Sequence, residues 1–133
     1  MANAIYPLYK QALIDADTNV DLNDGTVKVA LIDTGTYTYS SAHDFLNDLS
    51  GIVGTAQTIA NTTVTNGTLD GDNVTFSAVT GASVEALVIY IDTGVSTTSR
   101  LVAYLDTGVT GLPVTPNGGD ITSTWNASGI FTI

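Results

Sequence analysis

In several short segments of this chain, hydrophobic and polar residues alternate with the two-residue period of a β-strand, and turns separate these segments. Together with some unbroken apolar runs, they cover residues 26–33, 55–64, 73–77, 84–91, 101–105, 120–125 and 130–133. Short strands at regular spacing are typical of sandwiches and barrels. We therefore expect an antiparallel β-sandwich or barrel of about seven or eight strands with a short N-terminal helix.

Two segments define the expected centre of the sheet. Residues 84–91 form the most apolar run of the chain, and their length and β-branched content predict a strand buried on both faces. Residues 101–105 are expected to pair with this strand as a hairpin. A second hairpin is predicted at Asn66-Gly67, because both residue types tolerate the positive φ that a tight turn between strands requires.

Helical patterning is confined to the first half of the chain. Apolar residues recur at helical spacing over about residues 5–16, and Pro7 is compatible with the first turn of a helix there. A shorter helix is predicted over about residues 42–49, with Ser41 as its N-cap. The first helix is expected to pack against another part of the protein, because its polar face is weak.

The connector between the first helix and the first long strand is polar. It spans residues 17–25, and Val20 and Leu22 within it allow a short strand. No composition change or linker divides the rest of the chain. Residues 1–133 are therefore expected to fold as a single β domain, whose size is close to the commonest for one domain.

The residues available for the surface are unusual for a soluble domain. Only 12% of the chain is charged, whereas about 25% is usual, and Thr, Ser, Asn and Gly together supply 53 of the 133 residues. These short side chains lose less conformational entropy on immobilisation than Lys, Arg, Glu and Gln do. The composition therefore favours a surface that is held against neighbouring subunits.

The charge balance argues against several partners. Three basic residues, Lys10, Lys28 and Arg100, stand against 13 acids and give a formal net charge of −10. Nucleic-acid binding needs clustered lysine and arginine, so we expect no contact with nucleic acid or anionic lipid. No apolar run approaches the ~18 residues of a membrane span, and the first residues lack signal-peptide features. Without cysteine, disulfides and thiolate metal sites are excluded.

The triplet Asp-Thr-Gly occurs at 33–35, 92–94 and 106–108, each time after an apolar segment. Aspartic proteases carry the same triplet, but their chemistry needs two carboxylates that share one proton. The expected central hairpin would instead separate Asp92 and Asp106 by roughly 20 Å. We interpret the triplets as turns in which Asp accepts backbone hydrogen bonds and Gly adopts a positive φ.

Acidic and amide residues between positions 15 and 25 are a weak candidate for calcium, with Asp15, Asp17 and Asp21 as the ligands. Calcium prefers about six to eight oxygen ligands. The EF-hand pattern fails, because Val20 stands where Gly is needed and Thr26 where a bidentate Glu is needed. A solvated loop is the simpler interpretation, so we expect no bound cofactor or metal.

Residues that could carry chemistry are few, and we expect no enzymatic activity. His43 is the only histidine, no serine lies in a nucleophile context, and we interpret His43 as a surface or helix-capping residue. Aromatic side chains are expected in the core or at interfaces. The residues predicted as interface anchors are Tyr6, Tyr9, Tyr37, Tyr39 and Trp125.

Several segments match one kind of protein when they are taken together. They are the N-terminal helix, residues 27–33 and 43–46, the run Asn73–Tyr90 followed by Asp92-Thr93-Gly94, the run Ser99–Tyr104 and the run Gly111–Thr122. In this order they resemble small structural proteins of tailed-bacteriophage virions. The resemblance covers most of the chain, implies a structural role in the virion, and supplies no catalytic residues to transfer.

The leading prediction is a capsid decoration (cement) protein that forms homo-oligomers on the shell exterior and bridges capsomers. Its partners would be the major capsid protein or other virion proteins, and it would be made in the cytoplasm of the bacterial host. The alternatives are a tail, neck or fibre component of the virion, a carbohydrate-binding or adhesion module, and, least favoured, a protease. A decoration protein would act by mass action, because it binds only the assembled shell.

Overall fold

The computed structural model describes residues 3–133, and this part of the chain contains ten β-strands and one α-helix. The strands are β1 (Ala4–Ile5), β2 (Thr26–Ile32), β3 (Ile52–Thr58), β4 (Thr63–Thr65), β5 (Thr68–Asp70), β6 (Val74–Phe76), β7 (Ala86–Asp92), β8 (Leu101–Leu105), β9 (Ile121–Ser123) and β10 (Phe131–Thr132). The helix α1 spans Pro7–Ile14. The mainly β architecture with a short N-terminal helix confirms the predicted fold class.

Five strands form the large sheet, in the order β1-β8-β7-β2-β3, and all its pairs are antiparallel. Its centre is β7, which pairs with β2 from Thr26↔Asp92 to Ile32↔Ala86. Successive residues of a strand point to opposite faces, and every β7 residue except the last is buried, so both faces of the sheet are covered. The predicted buried strand at 84–91 and its β8 partner are thereby confirmed.

Two smaller antiparallel sheets, β10-β5-β4 and β6-β9, complete the fold. The buried side chains of Leu69, Val74 and Phe76 join these sheets to the same hydrophobic core as the large sheet. The hairpin predicted at Asn66 and Gly67 is present, since these residues have φ values of 52° and 76° and connect β4 to β5. None of the three sheets closes into a barrel. Of the two predicted architectures, the structure is therefore consistent with the sandwich and not with the barrel.

Helix α1 is shorter than the predicted range of 5–16. Ile5 belongs to β1, and the helix begins at Pro7, whose fixed φ suits the first helical turn. Asp15 is the C-cap, and Ala16 has a φ of 52°, a left-handed conformation that ends the helix. The periodicity of apolar residues therefore located the helix correctly and overestimated both ends.

The second predicted helix, over residues 42–49, is largely absent. Only Leu46–Asp48 is helical, as a single 3-10 turn. Phe45 is extended and forms an isolated bridge with Arg100, and the backbone N–H of Leu46 donates to the carbonyl of Ser99 at 2.8 Å. Pairing with the chain just before β8 thus overrides the local helical pattern.

The two ends of the described chain pair with strands that are distant in sequence. β1 lies against β8, and β10 lies against β5. Beside β1, the side-chain oxygen of Asn3 accepts hydrogen bonds from the backbone N–H groups of Asp106 and Thr107 at 2.7 and 2.9 Å. Any single cut of the chain between β1 and β10 would therefore separate strands that are hydrogen-bonded to each other.

Candidate interaction surface

An apolar groove of about 540 Å³ opens between α1, the connector that follows it and the sheet β10-β5-β4. Two of its residues, Val64 and Ile133, are large hydrophobic residues with 47% and 54% of their surface exposed. Polar lining comes mainly from Asp21 and Asn23. The apolar side chains that line the groove are Tyr9, Leu13, Val20, Leu22, Val64, Leu69, Phe131 and Ile133.

Strand register explains the sheet side of the groove. Val64 lies opposite Leu69, and Leu69 lies opposite Phe131, so the three side chains share one face of the small sheet. The Asn66-Gly67 turn fixes this register, and a slip of one residue would move Val64 to the other face. Leu69 is buried because its strand is central, whereas Val64 is half-exposed because β4 is an outer strand.

The helix side of the groove comes from α1 and the connector. The short strand that the sequence allowed at Val20 and Leu22 does not form, and the segment turns instead. Both side chains face the groove, and Leu22 belongs to the hydrophobic core. The hydroxyl of Tyr9 donates to the carbonyl of Val20 at 2.8 Å and so ties the connector to the helix.

Strand β4 is an open sheet edge beside the groove. All three of its residues, Thr63, Val64 and Thr65, are exposed. Within residues 3–133 it pairs only with β5, so its other edge meets no strand of this chain. An open edge of this kind is a template on which an additional extended segment can pair.

One carboxylate, that of Asp21, lines the groove. The Oδ1 atom of Asp21 accepts the backbone N–H groups of Asn23 and Asp24 at 2.8 and 3.0 Å, which fixes this carboxylate in place. Burial raises the pKa of the Tyr9 hydroxyl, and the negative charge of Asp21 raises it further.

Three of the predicted interface anchors are buried within the chain itself. Tyr6, Tyr9 and Tyr37 have only 0–2% of their surface exposed and belong to the hydrophobic core. This placement favours a core role for Tyr6 and Tyr37, whereas Tyr9 also lines the apolar groove. The role of all three as contact residues for a partner stays a prediction. Large aromatic side chains stabilise a fold strongly when they are buried, and a sequence pattern alone does not show which of them the chain covers.

Tyr6 and Tyr37 belong to a buried aromatic cluster. Their hydroxyls are 2.8 Å apart, and the Tyr37 hydroxyl is also 2.8 Å from Nδ1 of His43. Tyr39 and Tyr104 pack alongside, with ring centroids 5.5 Å apart. The cluster ties the start of α1, the loop after β2 and strand β8 together. We call these five residues the tyrosine cluster.

The tyrosines of this cluster resist ionisation. Burial raises the pKa of both Tyr6 and Tyr37. The hydrogen bond between their hydroxyls raises the pKa of Tyr6 further and lowers that of Tyr37. His43 is half-buried and bonded to Tyr37, so the predicted helix-capping alternative is not seen, and the residue remains partly exposed. The adjacent 3-10 turn has Phe45 at its N-cap position and no side-chain cap.

The remaining predicted anchors, Tyr39 and Trp125, are half-buried. Trp125 donates its indole N–H to the carbonyl of Asp72 at 2.8 Å, and its backbone N–H donates to the side chain of Asn73 at 3.1 Å. It also lines a pocket of about 300 Å³ that includes Asn3. Both residues lie outside the apolar groove, and their role as interface anchors stays a prediction.

The first two Asp-Thr-Gly triplets are turns in which the Asp accepts hydrogen bonds, as predicted. The Oδ1 atom of Asp33 accepts the N–H of Gly35 at 2.9 Å, and Asp92 accepts the N–H of Gly94 at the same distance. Gly94 has a positive φ of 84°, but Gly35 does not adopt the positive φ that we expected. The backbone hydrogen bond from Gly94, together with the ammonium of Lys28, holds the pKa of Asp92 below its usual value.

The third triplet is stabilised differently, by the Asn3 side chain described above, and Gly108 has a positive φ of 68°. The antiparallel β7–β8 pair places Asp92 and Asp106 at opposite ends of the hairpin, as expected. These two carboxylates are therefore not arranged to share a proton.

The candidate calcium ligands are spread over separate local structures. Asp15 caps α1, Asp21 closes the turn at the groove, and Asp17 forms an ion pair with Arg100, at 3.2 Å between Oδ2 and Nη2. The Arg100 guanidinium also lies over the ring of Phe45, 4.9 Å from its centroid. Within residues 3–133, no group of three or more histidine or acidic side chains is placed to hold a metal ion.

Comparisons with known proteins add no assignment. No protein-family model matches the chain, and a search of curated proteins finds no match. Among residues 3–133, no helix is long and apolar enough to cross a membrane.

The sequence analysis did not predict the apolar groove. The alternating pattern around Asn66-Gly67 gave the hairpin but not the element that lies against it.

Proposed function

We propose that this chain is a structural subunit of a tailed-bacteriophage virion, a decoration protein that binds the assembled capsid shell and stabilises it. The observation that carries the proposal is the apolar groove, where Val64 and Ile133 remain half-exposed beside an open strand edge. A contiguous apolar surface of this kind in a small domain marks a place where another protein binds.

The body behind the groove supports this proposal. Strands β7 and β8 are buried almost throughout, and the tyrosine cluster fastens α1 and the loop after β2 to them. A rigidly packed domain of this kind loses little conformational entropy when its groove binds a partner, because few long side chains need to be ordered. The resemblance of the chain to phage structural proteins supplies the kind of particle.

The proposed mechanism is mass action. Each copy binds the assembled shell better than its separated subunits, so occupancy shifts the equilibrium towards the intact shell. The net charge of −10 keeps the chain away from packaged nucleic acid and favours contact with basic patches on the shell exterior. No step of the mechanism requires a catalytic group.

The test is to heat virion shells with and without the purified chain and to follow their disruption by light scattering. We expect the disruption temperature to rise with the concentration of the chain until the shell sites are filled. An unchanged disruption temperature at saturating concentration would reject the stabilising role. Copy number then separates the alternatives, since a shell protein is present in hundreds of copies and a tail component in far fewer.

A further inference from the structure

We infer that Asn66 is a site of covalent self-modification, in which its side-chain amide is lost as ammonia and the residue becomes aspartate or isoaspartate. The inference concerns the turn between β4 and β5 and does not depend on the proposed function. The chain contains two Asn-Gly pairs, Asn66-Gly67 and Asn117-Gly118. The two pairs have the same reactive groups, but the structure gives these groups opposite surroundings.

The reaction needs only the chain and water. The backbone nitrogen of Gly67 attacks the Cγ carbon of Asn66 and forms a five-membered succinimide, and the side-chain nitrogen leaves as ammonia with the proton of the attacking N–H. Asparagine is a thermally labile residue, and a glycine that follows it has no Cβ to hinder the approach. Water then opens the ring at either carbonyl carbon. One opening gives aspartate in a normal backbone, and the other gives isoaspartate, in which the backbone runs through the former side chain.

The reacting groups are free at Asn66. Both Asn66 and Gly67 are exposed, and among residues 3–133 neither the Asn66 side chain nor the Gly67 N–H makes a hydrogen bond. Their φ values of 52° and 76° are those of a two-residue hairpin turn, in which the flanking residues Thr65 and Thr68 carry the pairing. Attack at this site therefore breaks no hydrogen bond of the folded chain.

The same groups are occupied at Asn117. The N–H of Gly118, which is the attacking group at this site, donates to the carbonyl of Val79 at 2.8 Å. The side-chain oxygen of Asn117 accepts the N–H of Gly119 at 2.9 Å, which holds the amide in place. Attack at Asn117 first requires the Gly118 hydrogen bond to break, so folding should slow the reaction at this site relative to Asn66.

Modification at Asn66 would alter the wall of the apolar groove. Gly67 lines the groove, and its carbonyl accepts the N–H of Ile133 at 2.9 Å. Aspartate tolerates the left-handed conformation and should keep the turn, whereas isoaspartate adds a methylene to the backbone of a two-residue turn. Because turn length fixes the register of a hairpin, isoaspartate should loosen the pairing of Val64 with Leu69.

The test is to age the purified full chain in warm, mildly alkaline buffer and to follow both sites by mass spectrometry after trypsin digestion. Cleavage after Arg100 places the two asparagines on different peptides, and fragmentation assigns the mass gain to a residue. We expect Asn66 to react about tenfold faster than Asn117, because the second site must first lose a backbone hydrogen bond. In urea the two sites should react at similar rates, since unfolding removes the protecting bonds.

Hydrogen exchange then tests the effect on the hairpin, with Asn66→Asp as the matched control that has the added charge and a normal backbone. We expect faster exchange over residues 63–70 in aged chain that contains isoaspartate, measured with an isoaspartyl methyltransferase, and no change in β7 or in Asn66→Asp. Equal rates at the two asparagines of the folded chain, or no mass gain at Asn66, would overturn the inference. Exchange in the aged chain that matches Asn66→Asp would overturn the predicted loosening of β4 and β5.

Discussion

Strands β7 and β4 both contain β-branched aliphatic residues, but their surroundings are opposite. In β7, Leu87 and Ile89 are completely buried between two covered faces, whereas in β4 Val64 is 47% exposed. The difference follows from position, because β7 is the centre of five strands and β4 is the edge of three. The large sheet stabilises the fold, and the small sheet leaves an apolar surface open to a partner.

The largest expected effect is in the large sheet. Leu87→Ala should lower the free energy of unfolding by about 2–5 kcal/mol, because a fully buried side chain is replaced by a cavity. Val64→Ala should cost less than about 1 kcal/mol, since that side chain is already half in water. Urea unfolding followed by circular dichroism measures both. Similar losses in the two variants would contradict the contrast between the sheets.

The second prediction compares two hydroxyls of the tyrosine cluster, that of Tyr37, which is hydrogen-bonded, and that of Tyr39, which is not. Tyr37→Phe should cost about 1–3 kcal/mol, because it removes a partner from the buried Tyr6 hydroxyl and from His43. Tyr39→Phe is the matched control, since the Tyr39 hydroxyl has no hydrogen-bond partner among residues 3–133. Adding Tyr6→Phe to Tyr37→Phe should cost less than the sum of the single changes. Strict additivity in urea unfolding would count against a coupled hydroxyl pair.

The third prediction concerns the ionisation of the buried tyrosines Tyr6 and Tyr9. The folded state raises the pKa of Tyr6 and Tyr9 above the usual value of about 10. The resulting stability is fully present below that pH and is lost as the pH rises above it, because the unfolded chain releases these protons first. In a titration of tyrosinate absorbance, Tyr6→Phe should therefore remove only signal that appears together with unfolding. Removal of signal that appears while the chain is folded would contradict the burial.

The smallest expected effect is at the partly exposed end of β7. Asp92→Asn keeps an acceptor for the N–H of Gly94 but removes the ion pair with Lys28, so the cost should be below about 1 kcal/mol at pH 7. The pKa of Asp92 is lowered, so its contribution is present above pH ~4 and is lost as the pH falls through the folded-state pKa. Urea unfolding of both proteins should show the difference shrinking in acid. A difference that persists in acid would contradict a charge effect.

The local pattern of hydrophobic, polar and turn-forming residues was sufficient to predict the central strands and one hairpin turn. The apolar run at 84–91, its partner at 101–105 and the Asn66-Gly67 turn were all predicted from residues close in the chain. The start of α1 and the segment 42–49 were not, because strand pairing with distant residues decides them. The helix ends at the left-handed Ala16, and the apolar periodicity does not report that conformation.

The candidate site could not be predicted for a related reason. The groove brings residues near position 20 together with Val64 and Phe131, and no local pattern reports which element covers which face. The same limit explains the anchors. Residue type alone identified Tyr37 as one of several aromatic residues able to pack. Only the three-dimensional arrangement shows that it is buried inside the chain and bonded to His43.

The central claim is that this chain acts as a bound subunit of a virion shell, and locating it in the particle tests that claim most directly. Ser83→Cys introduces a single exposed thiol into a chain without cysteine, at the opposite end of the large sheet from the connector that lines the groove. Gold attached to this thiol and imaged on intact virions should decorate the whole shell exterior in many copies. Label confined to the tail, or absent from the particle, would contradict the account.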